Sequence, residues 1–143
     1  MRFIRYAAIA VVAYVGIVVA FEAYLGIAQP RFHRDPAEKW DATIVIATTG
    51  SDGSTQQRVV TPMVSDGNLY VSANHWPRSW YNRVLENPKV KVTNRDETKD
   101  YLAVPIPAAS EEHDRLQREH PHSAGFRFVT GYPPRRFVRF EER

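Results

Sequence analysis

The sequence predicts a mainly β protein of the α+β class, in which a six-stranded antiparallel barrel with flanking helices follows one N-terminal transmembrane helix. Short segments rich in β-branched residues recur between positions 43 and 140, and turn signals separate them. Only two helical patterns interrupt these segments. Six short strands with two helices predict a small antiparallel barrel with the helices packed outside it.

The N-terminal segment at 7–28 reads AAIAVVAYVGIVVAFEAYLGIA. As a helix it would be about 33 Å long, which matches the hydrocarbon core of a bilayer. A cleavable signal peptide is the alternative, since Arg2 and Arg5 precede the apolar run and Gly26-Ile27-Ala28 offers a cleavage site. The length of the run favours a retained single-pass anchor over residues 1–28. Basic residues flank both ends, so the side of the membrane on which the domain lies stays open.

Length, composition and charge limit the classes of protein to which this chain can belong. The 143 residues allow one domain with a packed core, and the polar segment at 29–39, which contains two prolines, predicts a linker before a domain at 40–143. The lack of cysteine excludes disulfides and thiolate catalysis. The net charge is +3, and no Lys/Arg cluster alternates with aromatic residues. This pattern argues against a nucleic-acid partner.

The stretch from Leu69 to Thr93, LYVSANHWPRSWYNRVLENPKVKVT, organises the predicted domain. Apolar residues alternate at both of its ends and predict two strands that are wetted on one side only. Between the strands, Ser79 is the expected N-cap of a short helix from Trp80 to Glu86, and Asn87-Pro88 ends that helix.

The remaining elements are predicted from composition and turns. Upstream, 43–48 and 58–64 form strands, and Asp66-Gly67 marks a hairpin into the strand at Leu69. Downstream, strands near 100–106 and 135–140 flank a surface helix that Ser110 caps. Two ion pairs one helical turn apart are expected in that helix: Glu111–Arg115 and Asp114–Arg118.

The central stretch resembles the signature of the deazaflavin-dependent nitroreductase family, in which a strand ending in Ala-Ser leads to Pro, Trp-Tyr and Asn, and then to Asn-Pro before a Val-x-Val strand. The matching residues here are Ser72, Ala73, Pro77, Trp80, Tyr81, Asn82, Asn87, Pro88, Val90 and Val92. Upstream, 48–63 is similar to another family segment through Thr49, Gly50, Gly53, Arg58 and Pro62. The similarity covers Trp40 to Thr93 well and the rest loosely.

This resemblance implies the split β-barrel of the flavin-reductase-like group and a bound deazaflavin (coenzyme F420) or FMN. It implies a cofactor-binding set made of Thr48, Thr49, Gly50, Ser54, Arg58, Pro62, Ser72, Ala73, Asn74, Trp80 and Asn82. The polar members at 48–58 suit phosphate binding, whereas Pro62, Ala73 and Trp80, together with Trp76, suit an apolar slot for the ring. Each also has a purely structural explanation, such as Trp80 in the core.

Two departures from the family pattern concern the cofactor. Asp52 stands where the family commonly carries a Lys, and a carboxylate close to a phosphate repels it. Asn74, His75 and Trp76 replace a glycine pair and fill space that a cofactor's tail needs.

The sequence assigns no catalytic residue. His75 and Tyr81 are candidate proton donors, and a structural role is the alternative for each. His113 and His120 are seven residues apart, a spacing that does not favour a metal site on a helix, so no metal is expected.

Two function classes follow. The first is a membrane-anchored oxidoreductase that reduces a quinone-like or nitro acceptor with a reduced deazaflavin or FMN; a quinone partitions into the bilayer beside such a domain. The second is a non-catalytic split-barrel domain that binds a small molecule or a partner through a degenerate cofactor site. The sequence leaves open whether the protein forms a homodimer.

Overall fold

The computed structural model describes residues 2–27 and 38–143. These residues form two compact units, of which one contains helix α1 (Arg2–Ile27) and the segment His122–Pro134, and the other contains the strands and the remaining helices. The predicted linker at 29–39 lies almost entirely outside the described residues. The boundaries of the predicted anchor and domain, at 1–28 and 40–143, stay predictions.

Helix α1 contains one stretch, Phe3–Leu25, that is long and apolar enough to cross a membrane. A signal sequence near the N-terminus meets the same test of length and composition. The second element of this unit is a short helix, α4 (Ala124–Val129). Helix α4 was not predicted, because its six residues include Gly125 and show no helical apolar period.

The larger unit is a seven-stranded antiparallel sheet with two helices. Its elements are β1 (Ile44–Thr49), β2 (Thr55–Val60), β3 (Met63–Ser65), β4 (Asn68–Ala73), α2 (Ser79–Glu86), β5 (Lys89–Asn94), β6 (Glu97–Pro105), α3 (Glu111–Glu119) and β7 (Arg136–Glu142). The strand order is β2-β1-β5-β6-β7-β4-β3.

The two edge strands, β2 and β3, follow each other in the chain. Val60 ends β2 and Met63 begins β3, so the two edges lie within about 11 Å of each other there. The sheet must therefore curl into a nearly closed barrel, which confirms the predicted fold class. The predicted count of six strands was wrong: the strand expected at 58–64 is two strands, because Pro62 has no N–H for a ladder and the chain changes edges at that point.

Each face of the curled sheet packs a separate core. The inner face holds the main cluster, to which α2 adds Val84: Ile44, Ile46, Leu69, Val71, Val84, Val90, Val92, Tyr101, Ala103, Val138 and Phe140. On the outer face of β4 and β7, helix α3 covers a second cluster through Leu116, with Met63, Tyr70, Ile106 and Phe137. Alternate residues of β4 and β7 therefore serve different cores.

Local signals account for most element ends. Asp66 and Gly67 both have positive φ, which confirms the predicted hairpin. Asn87 ends α2 in an extended conformation before Pro88, as expected. The predicted N-cap was wrong: Ser79 is the first residue of α2, and Arg78, with a left-handed backbone, precedes it without a side-chain cap.

Helix α3 begins at its predicted cap, because Ser110 accepts a hydrogen bond from the backbone N–H of His113. The two ion pairs expected within this helix do not form in the described chain. Arg115 instead pairs with Asp66 of the hairpin, with 2.7 Å between Nη1 and Oδ2, and so ties α3 to the sheet.

Candidate functional site

The loop between β1 and β2 is fastened to helix α2 by Arg83. Its Nη1 atom donates to the backbone oxygen of Ser54 at 2.8 Å and to the Ser54 hydroxyl at 3.0 Å. A Cβ on Gly50 would lie only 2.6 Å from the same nitrogen, so a glycine is needed for this approach. Glu86, one turn further along α2, accepts from the N–H of Ser51 at 3.2 Å. The predicted phosphate loop is therefore lined by a cation that the sequence did not indicate.

Asp52 lies at the tip of this loop, where the family commonly has a Lys. Its Oδ1 accepts from the hydroxyl of Ser54 at 2.7 Å and from the Ser54 N–H at 2.9 Å. These hydrogen bonds, together with the charge of Arg83, hold the pKa of Asp52 below its usual value. The carboxylate is fully exposed to solvent, and the hydrogen bonds that it accepts come from its own loop.

The inner face of β1 and β2 contributes Thr48 and Arg58. Thr48 is fully buried on the same side of β1 as Ile46, and its hydroxyl has no hydrogen-bond partner within the described residues. Arg58 lies directly opposite Ile46 in the β1–β2 register and therefore points to the same face. In the described part of the chain, the half-buried guanidinium of Arg58 makes no ion pair. Thr49 is on the other face, where its hydroxyl meets that of Thr55 at 3.1 Å.

The end of β4 places its three predicted residues on different sides. Ala73 is buried on the inner side, whereas Ser72 and Asn74 contact Arg135. Arg135 donates from Nη1 to the backbone oxygen of His120 at 2.6 Å, from Nη2 to the Ser72 hydroxyl at 3.4 Å and from Nε to the Asn74 amide oxygen at 3.3 Å. Burial lowers the pKa of Arg135 to about 10. This second cation was also missed.

The remaining predicted residues lie on α2 and on the connection between the edge strands β2 and β3. Pro62 is buried between β2 and β3. Trp80 is half-buried against the main core, with its ring 6.1 Å from that of Tyr81 in an edge-to-face arrangement. Asn82 is on the exposed side of α2.

The structure thus brings seven of the eleven predicted residues into two groups and leaves Pro62, Ala73, Trp80 and Asn82 outside both. The hairpin group, with Thr48, Thr49, Gly50, Ser54 and Arg58, adjoins α2. The β4 group, with Ser72 and Asn74, is gathered by Arg135 on the outer face. No sequence signal indicated where Arg83 or Arg135 would lie, because the hydrogen-bond partners of both are distant in the chain.

The curled antiparallel sheet, with its edges meeting at Pro62, defines a split-barrel protein. The family model for F420H(2)-dependent quinone reductase matches residues 31–127, more than half of the chain, and the chain belongs to that family. The family resemblance seen in the sequence is thereby confirmed. The family's cofactor is the reduced deazaflavin coenzyme F420, which confirms the deazaflavin prediction.

Solved structures are similar in fold. The heme storage protein HutZ from Vibrio cholerae has a TM-score of 0.56 at 15% identity, with 71% of this chain and 82% of that chain covered. An F420-H2 dependent reductase, FDR-A, has a TM-score of 0.51 at 20% identity, with 70% and 94% covered. A pyridoxamine 5'-phosphate oxidase-related, FMN-binding protein from Nostoc punctiforme has 0.53 at 11%, with 71% of each chain covered. No curated protein matches in sequence.

The hairpin group fits an anionic, hydrogen-bonding cofactor. Arg58 is half-buried and has no counter-ion within the described chain, so its guanidinium can pair with an anionic oxygen. The hydroxyl of Thr48 also has no partner there, but it is fully buried and a ligand does not reach it in this structure. Arg83 uses only Nη1 in the hydrogen bonds it makes within the described chain, so its other nitrogens can donate to a phosphate or carboxylate.

Proposed function

We propose that this protein is a membrane-anchored quinone reductase that uses reduced deazaflavin. The observation that carries the proposal is the family match over residues 31–127. Helix α1 supports the anchor, since Phe3–Leu25 has the length and composition of a single membrane span. An anchor suits a quinone substrate, because a quinone dissolves in the bilayer and its concentration is highest there.

In this proposal the hairpin group holds the charged part of the cofactor. Arg83 and Arg58 bind anionic oxygens, and the backbone at Gly50 allows the close approach of Arg83. Ala73 and Trp80 supply apolar surface for the ring. When bound, the reduced deazaflavin supplies a hydride for the quinone. The product also needs a proton, for which His75 and Tyr81 are the candidate donors.

Turnover by the full-length protein in lipid vesicles tests this function. The assay follows the oxidation of reduced F420 after menadione is added, with protein-free vesicles as a blank. We expect oxidation that scales with protein and saturates in both substrates. Arg58→Ala should raise the KM for reduced F420, because it removes a cation from the cofactor site. Arg118→Ala, the same charge change on exposed α3, is the matched control.

The non-catalytic alternative predicts a different result. Asp52 and the filled space at Asn74 to Trp76 are the features that favour it. A protein of that kind would bind neither F420 nor FMN and would give no oxidation above the blank. Binding without turnover would place the protein among cofactor carriers and would contradict the proposed reduction of a quinone.

A further inference from the structure

Helix α4 packs along the C-terminal half of α1. The hydroxyl of Tyr14 donates to the backbone oxygen of Phe128 at 3.0 Å, and the two rings lie 4.9 Å apart. Two turns beyond, on the same side of α1, the ring of Phe21 lies 6.4 Å from that of Phe126. The half-buried residues of α1 recur at helical spacing and mark this contact face: Tyr14, Val18, Phe21, Glu22 and Leu25.

The position of this contact along α1 is informative. Tyr14 is the eleventh residue after Phe3 and the eleventh before Leu25, so it is the midpoint of the apolar stretch. At 1.5 Å per residue, it lies about 17 Å from either end. If α1 crosses a bilayer, Tyr14 is near the midplane, and Phe128 is at the same depth.

We propose that the segment His122–Pro134 is a second membrane element, which enters one leaflet beside the C-terminal half of α1 and contacts lipid acyl chains. This inference rests on the membrane anchoring proposed for α1. It assigns to an unpredicted helix a partner of defined chemistry, the hydrocarbon of a lipid bilayer.

The backbone of the segment is suited to hydrocarbon. Ser123 caps α4 by accepting from the N–H of Phe126 at 3.1 Å. At the other end, the N–H and the hydroxyl of Thr130 both donate to the Phe126 carbonyl. The N–H of Tyr132 donates to the Arg127 carbonyl, and the N–H of Gly131 donates to the Phe128 carbonyl, which also accepts from the Tyr14 hydroxyl. A segment in lipid must satisfy its polar backbone internally, and here Ser123 supplies acceptors at the N-terminal end while the last turn pairs its own N–H and C=O groups.

The outer surface of the segment is also suited to lipid. Phe128 and Tyr132 are large side chains with 48% and 52% of their surface exposed. The guanidinium of Arg127 lies 5.4 Å from the centre of the Tyr132 ring. This cation–π contact gives the charge of Arg127 a partner within the segment, and the long apolar stem of the Arg side chain can lie among acyl chains. Residues 124–129, AGFRFV, contain no other charge.

Spin labels on single cysteines test the proposal, since the natural chain has no cysteine. Phe128→Cys and Tyr132→Cys report on the segment, Val15→Cys reports on α1, and Leu85→Cys on exposed α2 is the aqueous control. Each full-length variant is placed in phosphatidylcholine–phosphatidylglycerol vesicles. The measured quantity is the ratio of collision rates with oxygen, which concentrates in hydrocarbon, and with a water-soluble nickel complex.

We expect the ratio at Phe128→Cys and Tyr132→Cys to be several-fold higher than at Leu85→Cys and close to that at Val15→Cys. Tyr132→Cys leaves both ring contacts with α1 in place, so the test survives if Phe128→Cys disturbs the packing. A high ratio at Val15→Cys with aqueous ratios at both segment sites overturns this inference but leaves the anchor intact. An aqueous ratio at Val15→Cys overturns the anchor itself and the inference with it.

Discussion

Replacing Arg83 by Ala separates the structural and the binding roles of the hairpin loop. Arg83 is half-buried on α2 and donates both of its hydrogen bonds to Ser54 from one nitrogen. The variant therefore loses the fastening of the loop to α2 and one of the two cations proposed for the cofactor. Arg83→Lys keeps the charge but not the planar donor fork.

Both losses can be estimated from the contacts. Two hydrogen bonds that are partly open to water contribute about 1–2 kcal/mol together, so the free energy of unfolding should fall by that amount. A cation about 4 Å from an anionic oxygen contributes about 4 kcal/mol at an effective dielectric of 20, and partial exposure reduces this to about 1–2 kcal/mol. The affinity for F420 should then fall by about 5- to 30-fold.

Urea unfolding measures the first effect and a fluorescence titration with F420 measures the second. Arg118→Ala on α3 is the control, because it makes the same change of net charge on an exposed surface away from the hairpin. Arg83→Lys should recover most of the affinity and little of the stability. If Arg83→Ala binds F420 as tightly as the natural protein while its unfolding midpoint falls, then Arg83 only supports the loop and the charge argument is refuted.

Three other variants test separate parts of the fold and site. Asp52→Lys should raise the affinity for F420 roughly tenfold at low salt and less at high salt; an unchanged titration would mean that the loop does not meet the anion. Trp80→Ala should lower the free energy of unfolding by about 2 kcal/mol, since Trp80 is only half-buried; an unchanged melting curve would contradict its packing against the core. Burial alone would raise the pKa of Glu112. Hydrogen bonds from Tyr70 and Arg139 lower that pKa by more than burial raises it, so the net shift is downward. The stability that Glu112 contributes, about 2 kcal/mol, is present above its unfolded pKa and lost as pH falls through the lowered folded value. Urea midpoints of Glu112→Gln should thus be lower than natural at neutral pH and equal in acid, and parallel curves would refute this.

The barrel was predictable from the sequence because its signals are local. Asp66-Gly67 requires a tight hairpin, Asn87-Pro88 stops α2, and Ser110 caps α3. The division of the predicted strand at 58–64 into β2 and β3 also had a local signal, since Pro62 interrupts this segment. Only the order of strands in the sheet shows that β2 and β3 are its opposite edges. The spacing of apolar residues shows which side of a strand is buried, but it does not show which strands lie beside it.

The candidate site was predictable only as a set of segments. The resemblance selected the hairpin and the end of β4, and it treated Ser72, Ala73 and Asn74 alike. The sheet separates them, since neighbouring residues of a strand point to opposite faces. Arg83 and Arg135 were missed because a charged side chain on a helix or strand end carries no sequence signal of where its guanidinium will lie. Their partners, Ser54 and His120, are set by tertiary packing.

An equilibrium titration of the full-length protein with F420 tests the proposed binding of deazaflavin through the β1–β2 hairpin. We expect saturable binding that weakens as salt is raised, because charged oxygens are bound near the surface. We further expect a several-fold weaker affinity in Arg58→Ala and an unchanged affinity in Arg118→Ala. Absence of saturable binding, or equal affinities in the Arg58→Ala and natural proteins, would contradict the proposed binding.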